Sequence, residues 1–118
     1  MPPRQPPGQR PGNRVVIVAK IKPGAEESVA GVFADSDATS LPKDIGVRER
    51  SLFALNDLYV HIVDFEHDAR DAMKIAQQQS GFTDISRRLD PFITPYSPDW
   101  SSPADAMASR FYHWHVRD

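Results

Sequence analysis

Two stretches of the chain are apolar on both faces of a strand. Residues 14–21 (RVVIVAKI) are rich in β-branched side chains and predict a central strand. Residues 58–65 (LYVHIVDF) set Leu58, Val60 and Ile62 on one face, and Tyr59, His61, Val63 and Phe65 on the other. A strand with water on one side alternates apolar with polar. Here both faces are apolar except for one imidazole, so the second face needs a cover and the histidine needs a reason.

The remaining pattern supplies the frame. Lys22-Pro23-Gly24 turns the chain. A helix follows from Ala25 to about Asp35, with Glu26 and Glu27 in its first turn and Val29, Val32 and Phe33 on one stripe. Residues 36–46 (SDATSLPKDIG) read as a loop. Val47 to Leu55 is a second strand, joined through Asn56-Asp57 to the strand at 58–65 as a hairpin. Ala69, Ala72, Met73 and Ala76 mark a helix over 69–78; Phe82, Ile85 and Leu89 mark a second short stripe that stops before Pro91. Residues 93–103 (ITPYSPDWSSP) are an aromatic-bearing loop, and Ser102-Pro103 opens a brief helical turn. The last segment, RFYHWHV, predicts a fourth strand.

The order β-α-β-β-α-β satisfies a ferredoxin-like α+β fold, a four-stranded antiparallel sheet with its helices on one face. That leaves the other face bare. A second copy of the chain is its simplest cover, giving a homodimeric, α/β barrel-like assembly.

At 118 residues the chain is one domain by length. Five of its 11 prolines fall in residues 1–13, which contain no large aliphatic beyond Met1. That composition predicts a disordered Pro/Gly-rich tail ahead of a folded domain over 14–118. The net charge of −2 offers no broad basic field for nucleic acid or an anionic membrane. No cysteine is present, which removes disulfides, thiolate nucleophiles and Cys-based zinc sites. His113 and His115 share a strand face, but no third ligand stands at a recognisable spacing, so no metal is expected. Without a hydrophobic leader or a long apolar run, the expected location is the cytoplasm.

Hairpin parity brings polar groups together. A two-residue turn sets Leu52 opposite His61 and Arg50 opposite Val63, so Arg50 lies diagonally from His61 on one face. Arg48 falls on that face by the same count. The opposite face holds Phe53, Leu55, Leu58, Val60 and Ile62, better suited to packing sheet on sheet. The mixed face with Tyr59, His61 and Arg50 is therefore assigned to the helix side, where the end of the first helix can bring Ser36 and Asp37. A carboxylate, an imidazole and a guanidinium then meet in an apolar cavity, a ligand-site pattern. The bland alternative is a structural ion pair beside a satisfied core histidine.

The stretches FADSDATSLPKDIGVRERSLFALNDLYVHIVDF, ITPYSPDW and SRFYHWH, in this order, resemble the tetracenomycin-type (TcmI-type) aromatic polyketide cyclase family over about residues 14–115. The resemblance implies a ferredoxin-like homodimer with no metal or cofactor. It further implies ring closure of a poly-β-ketone intermediate, free or carrier-bound, by regiospecific aldol condensation and dehydration in bacterial type II polyketide biosynthesis. Transient contact with polyketide synthase components would follow. Carried over by position, the catalytic residues are Asp37, Arg50 and His61; Phe33, Ser36, Arg48, Tyr59, Tyr96 and Trp100 are the residues expected around the substrate, with Tyr96 and Trp100 as core or lid groups. Ser36 stands where some members have histidine, and Glu49 where some have a third basic residue. In this scheme Arg50 stabilises the enolate, His61 shuttles the proton, and Asp37 orients either group or acts as base. Two other readings share the fold: a cofactor-free oxygenase acting on an anthrone-like polyketide, and a non-catalytic polyketide-binding dimer.

Overall fold

The computed structural model describes residues 13–100 and 103–116. The expected tail therefore lies outside the described residues except for Asn13. The Asn13 carbonyl accepts from the Phe65 N–H at 2.8 Å, so the ordered ladder begins one residue before the expected boundary.

Strands β1 (Arg14–Ile21), β2 (Val47–Leu55), β3 (Leu58–Phe65) and β4 (Ile93–Thr94) form one antiparallel sheet in the order β2-β3-β1-β4. Helix α1 (Glu26–Asp37) fills the first crossover. Helices α3 (Ala69–Gln77) and α4 (Ser80–Leu89) fill the second. This is the ferredoxin-like arrangement anticipated from the element order. The Asp68 side chain caps α3 by accepting from the Arg70 N–H at 2.8 Å.

Two expectations are corrected. The loop over 36–46 contains a short helix, α2 (Leu41–Ile45), with Pro42 in its first turn. Gly46 ends it at φ 94°, a conformation that suits glycine, and its N–H donates to the Pro42 carbonyl at 2.8 Å. The second correction is the fourth strand. It is Ile93–Thr94, paired with Lys20 and Ile21, and not RFYHWHV. Pro91 and Pro95 flank this pair of residues and keep the strand short, because proline has no N–H to give a ladder. The middle of the same β1 edge is met by Met107, bridged to Ile17, and by Ala108, whose N–H donates to Val16. Residues 110–116 then carry no strand, with Phe111 98% exposed and Tyr112 and Trp114 also exposed. Strand propensity was real in that segment, but the edge it needed was already taken. A one-turn 3₁₀ helix, Pro103–Ala106, precedes the bridge; its expected cap, Ser102, lies outside the described residues.

The helix side of the sheet is buried along β3 at Tyr59, His61, Val63 and Phe65, as parity required. Its core is split in two. Val15, Ile45, Val63 and Phe65 pack with the alanine stripe Ala69, Ala72 and Ala76 of α3. Ala19, Ile21 and Tyr59 pack with Val29 and Phe33 of α1. Ile17 and His61, cross-strand partners in the β1–β3 ladder, fall at the junction of the two clusters.

Candidate active site

A cavity of about 440 Å³ opens at that junction, within the range typical of small-molecule sites. Its floor is the sheet, with Ile17, Ala19, Tyr59, His61 and Val63. Its walls come from Phe33 of α1, Leu41 and Ile45 of α2, Met73 and Ala76 of α3, and Phe82, Ile85 and Leu89 of α4. Trp100 and Met107 close it from the C-terminal side. Small side chains at Ala19 and Ala76 leave space that larger ones would fill.

The polar corner is built by the hairpin. Leu52 pairs with His61 and Arg50 with Val63, as the two-residue turn requires. Asn56 supplies the turn's positive φ of 56°. Arg50 then reaches three partners. Its Nε and Nη2 donate to Asp37 Oδ2 and Oδ1 at 3.2 and 3.0 Å, a bidentate pair. Its Nη1 lies 3.0 Å from His61 Nε2. The guanidinium carbon sits 4.8 Å from the centre of the Phe33 ring, close enough for cation–π attraction. Phe33 also meets the His61 ring edge to face at 5.0 Å. The long reach of α1, two residues beyond its expected end, is what carries Asp37 to Arg50.

Electrostatics follow from burial. His61 is 7% exposed. Burial, with Arg50 adding repulsion of a second positive charge, lowers its pKa to about 3. Proton transfer is most efficient with a pKa near the working pH, and here Nε2 is also engaged by Arg50. Burial raises the Tyr59 pKa, with Arg50 opposing it, and the phenol stays neutral.

The other residues named from the sequence divide. Phe33, Arg50, Tyr59, His61 and Trp100 line the cavity. Asp37 does not; it holds Arg50 from the rim, with its side chain 40% exposed. Ser36 is buried beneath the wall, its hydroxyl without a hydrogen-bond partner among the described residues. Tyr96 stands exposed outside, tilted against Trp100 at 5.8 Å. Arg48 is displaced by a β-bulge between Val47 and Glu49, which breaks the period-2 count and puts Val47 on the cavity wall instead. Three polar residues on the lining were missed: Ser86, Asp90 and Thr94. All are exposed, so they stand at the mouth. Asp90 is the one carboxylate among the lining residues. The apolar stripe of α4 did point one side of that helix inward, and Ser86 and Asp90 each follow an apolar stripe residue, Ile85 and Leu89.

Among the described residues no cluster of His, Cys, Asp or Glu could hold a metal ion, and no helix is long and apolar enough to cross a membrane.

Known proteins carry the same frame. A family profile described as polyketide synthesis cyclase matches residues 13–115. Tetracenomycin F2 cyclase of Streptomyces glaucescens is 36% identical over 105 residues, 89% of this chain and 96% of that protein. Its solved structure, described as a type II polyketide cyclase, superposes with a TM-score of 0.81 over 88% of this chain and 98% of that one. Polyketide synthase CurG of Streptomyces cyaneus is 42% identical over 105 residues, covering 86% of this chain and 96% of that protein. SnoaB, a cofactor-independent oxygenase from Streptomyces nogalater, is 24% identical with a TM-score of 0.52, covering 70% of this chain and 85% of that one. That is a likeness of fold alone. A match spanning the sheet, the helices and the cavity they enclose places this enzyme: the chain belongs to the polyketide synthesis cyclase family.

Proposed function

We propose that this cyclase closes a ring of a poly-β-ketone by intramolecular aldol condensation and dehydration, with Arg50 as the electrophilic centre. The single observation that carries the reading is a fixed guanidinium at one corner of a largely apolar cavity. A methylene between two carbonyls is already acidic, so a weak base suffices to remove its proton. What the reaction needs is stabilisation of the enolate and of the alkoxide formed as the new carbon–carbon bond closes. Arg50 supplies that charge. Asp37 keeps it aimed, and Asp90 at the mouth is the lining carboxylate available to take the proton. The new alkoxide takes that proton back; dehydration then removes the second proton of the former methylene as the hydroxyl leaves as water, and the ring aromatises.

Shape does the rest. A floor with Ile17 and walls of Phe33, Phe82, Leu89 and Trp100 fold a flexible chain so that one carbon pair meets. Val16, Val18, Phe53, Leu55, Leu58, Val60 and Ile62 remain partly or fully exposed on the far face of the sheet. A second copy of the chain covers them, and the exposed Phe111, Tyr112 and Trp114 enlarge the apolar surface available to it.

The test is to add the protein to a minimal polyketide synthase mixture. A new cyclised product, formed without oxygen uptake, is the expected result. Oxygen consumption would favour the oxygenase reading, and tight binding with no change in product would favour the binding dimer.

A further inference from the structure

His61 enters the site as an acceptor. Arginine has donors only and keeps its proton in proteins, so the 3.0 Å approach of Arg50 Nη1 requires a lone pair on His61 Nε2. In the neutral ring the proton is then on Nδ1. No protein group accepts from it among the described residues. Arg50 has five N–H groups; three are engaged, two by Asp37 and one by His61, which leaves two. Both Asp37 oxygens are occupied by the same guanidinium.

We infer that His61 is a neutral positioning residue rather than an acid–base catalyst: its Nε2 lone pair pins Arg50 against Phe33, and the corner so formed offers the cavity N–H donors matched to an enolate or phenolate oxygen.

The geometry explains why two anchors are present. Asp37 grips the Nε–Nη2 side of the guanidinium from α1, near the surface. With that grip alone Arg50 can swing toward water about the carboxylate. His61 holds Nη1 from β3, inside, and sets the plane. Arg50, His61 and Tyr59 all line the cavity, so the two N–H groups left on Arg50, the Nδ1–H of His61 and the Tyr59 hydroxyl are the donors this corner has to offer. A neutral ketone needs little of this. An enolate gains most from it, because charge-assisted hydrogen bonds are the stronger kind.

The surroundings oppose a second proton on the ring. Arg50 from β2 is in contact, and Tyr59 on β3 stays neutral. Asp37 of α1 already faces the guanidinium, while β1 and α3 contribute Ile17 and Met73, which carry no charge. Asp90, just after α4, is exposed at the mouth. An imidazolium would have to expel Arg50 to exist.

Nitrogen NMR of the ligand-free full chain tests this directly. His61 is expected to show the Nδ1-protonated neutral pattern, unchanged from about pH 8 to about pH 5. A His61 midpoint within about one unit of 6.5, or a proton on Nε2, would overturn the inference. Arg50→Met should free Nε2 and raise the His61 midpoint; an unmoved midpoint would mean that Arg50 does not fix the ring. The consequence for the reaction rests on the ring-closure reading. Glutamine can accept from Arg50 through Oε1 but cannot titrate, so His61→Gln should lose less than about tenfold in rate and His61→Leu about a hundredfold. Equal losses would overturn the positioning role. Because the NMR needs no substrate, a wild-type protein that closes no ring would sink the proposed function and leave the nitrogen assignment to be decided by the spectra.

Discussion

The two faces of this sheet use the same kinds of residue to opposite ends. On the helix side β3 presents Tyr59, His61, Val63 and Phe65, all buried. On the far side it presents Leu58, Val60 and Ile62, half-buried, next to Phe53 at 55% and Leu55 at 69% exposed. The helix side is covered by the chain itself, yet incompletely, because two core clusters meet around a cavity instead of merging. The far side is continuous, with Val60 between Val18 and Phe53 in the ladder. A face that is packed but hollow is built to enclose a small molecule. A face that is full but uncovered is built to meet another surface.

The largest expected effect breaks the helix side. Arg50→Met removes the charge while keeping the apolar stem, and ring closure should fall by about 10²–10³-fold, the range for losing an oxyanion donor. Single-turnover product analysis reads it, and the variant should remain folded. A rate near wild type would take the electrophile away from Arg50.

Breaking the far side should leave the cavity intact. In the proposed dimer Val60→Asp would bury an uncompensated charge under a second copy, and its dissociation constant should rise by about a hundredfold or more. Sedimentation velocity over a concentration series measures it. An unchanged dimer would mean that this face is covered by something else.

A smaller effect sharpens the contrast between packed and hollow. Ala76 is 2% exposed and lines the cavity. Ala76→Leu should fill part of the hollow, lowering kcat/KM by about tenfold while the melting temperature holds or rises, since the added apolar group is buried. A lower melting temperature with full activity would mean the site is tightly packed and separate from the substrate's path.

The last effect is thermodynamic and confined to acid. The folded-state pKa of His61 is about 3, below its ordinary 6.5. Between those values the unfolded chain binds the extra proton and the folded one does not. Stability from this group is therefore complete above about pH 6.5 and is lost as pH falls toward 3. Denaturant midpoints measured from pH 7 to pH 4 should drop, and His61→Gln should flatten part of that slope. An identical slope in the variant would assign the acid sensitivity elsewhere.

Sequence alone determined the frame and one face of the site. Period-2 alternation and a two-residue turn fix which side chains share a face, so the Arg50–His61 diagonal and the separation of Tyr59 from Val60 were legible without coordinates. Blocks of matching residues named the family. Tertiary structure decided what a local pattern cannot carry. A one-residue bulge turned Arg48 out and Val47 in, because register depends on the whole ladder and not on the count. The two residues of β4 and the Met107 bridge divide the edge of β1, which left the strand-like RFYHWHV without a place in this sheet. The protonation state of His61 likewise depends on a donor eleven residues away and on burial by elements distant in sequence. A histidine in a strand reads the same whether it shuttles a proton or holds an arginine. Only the partner on Nε2 tells them apart.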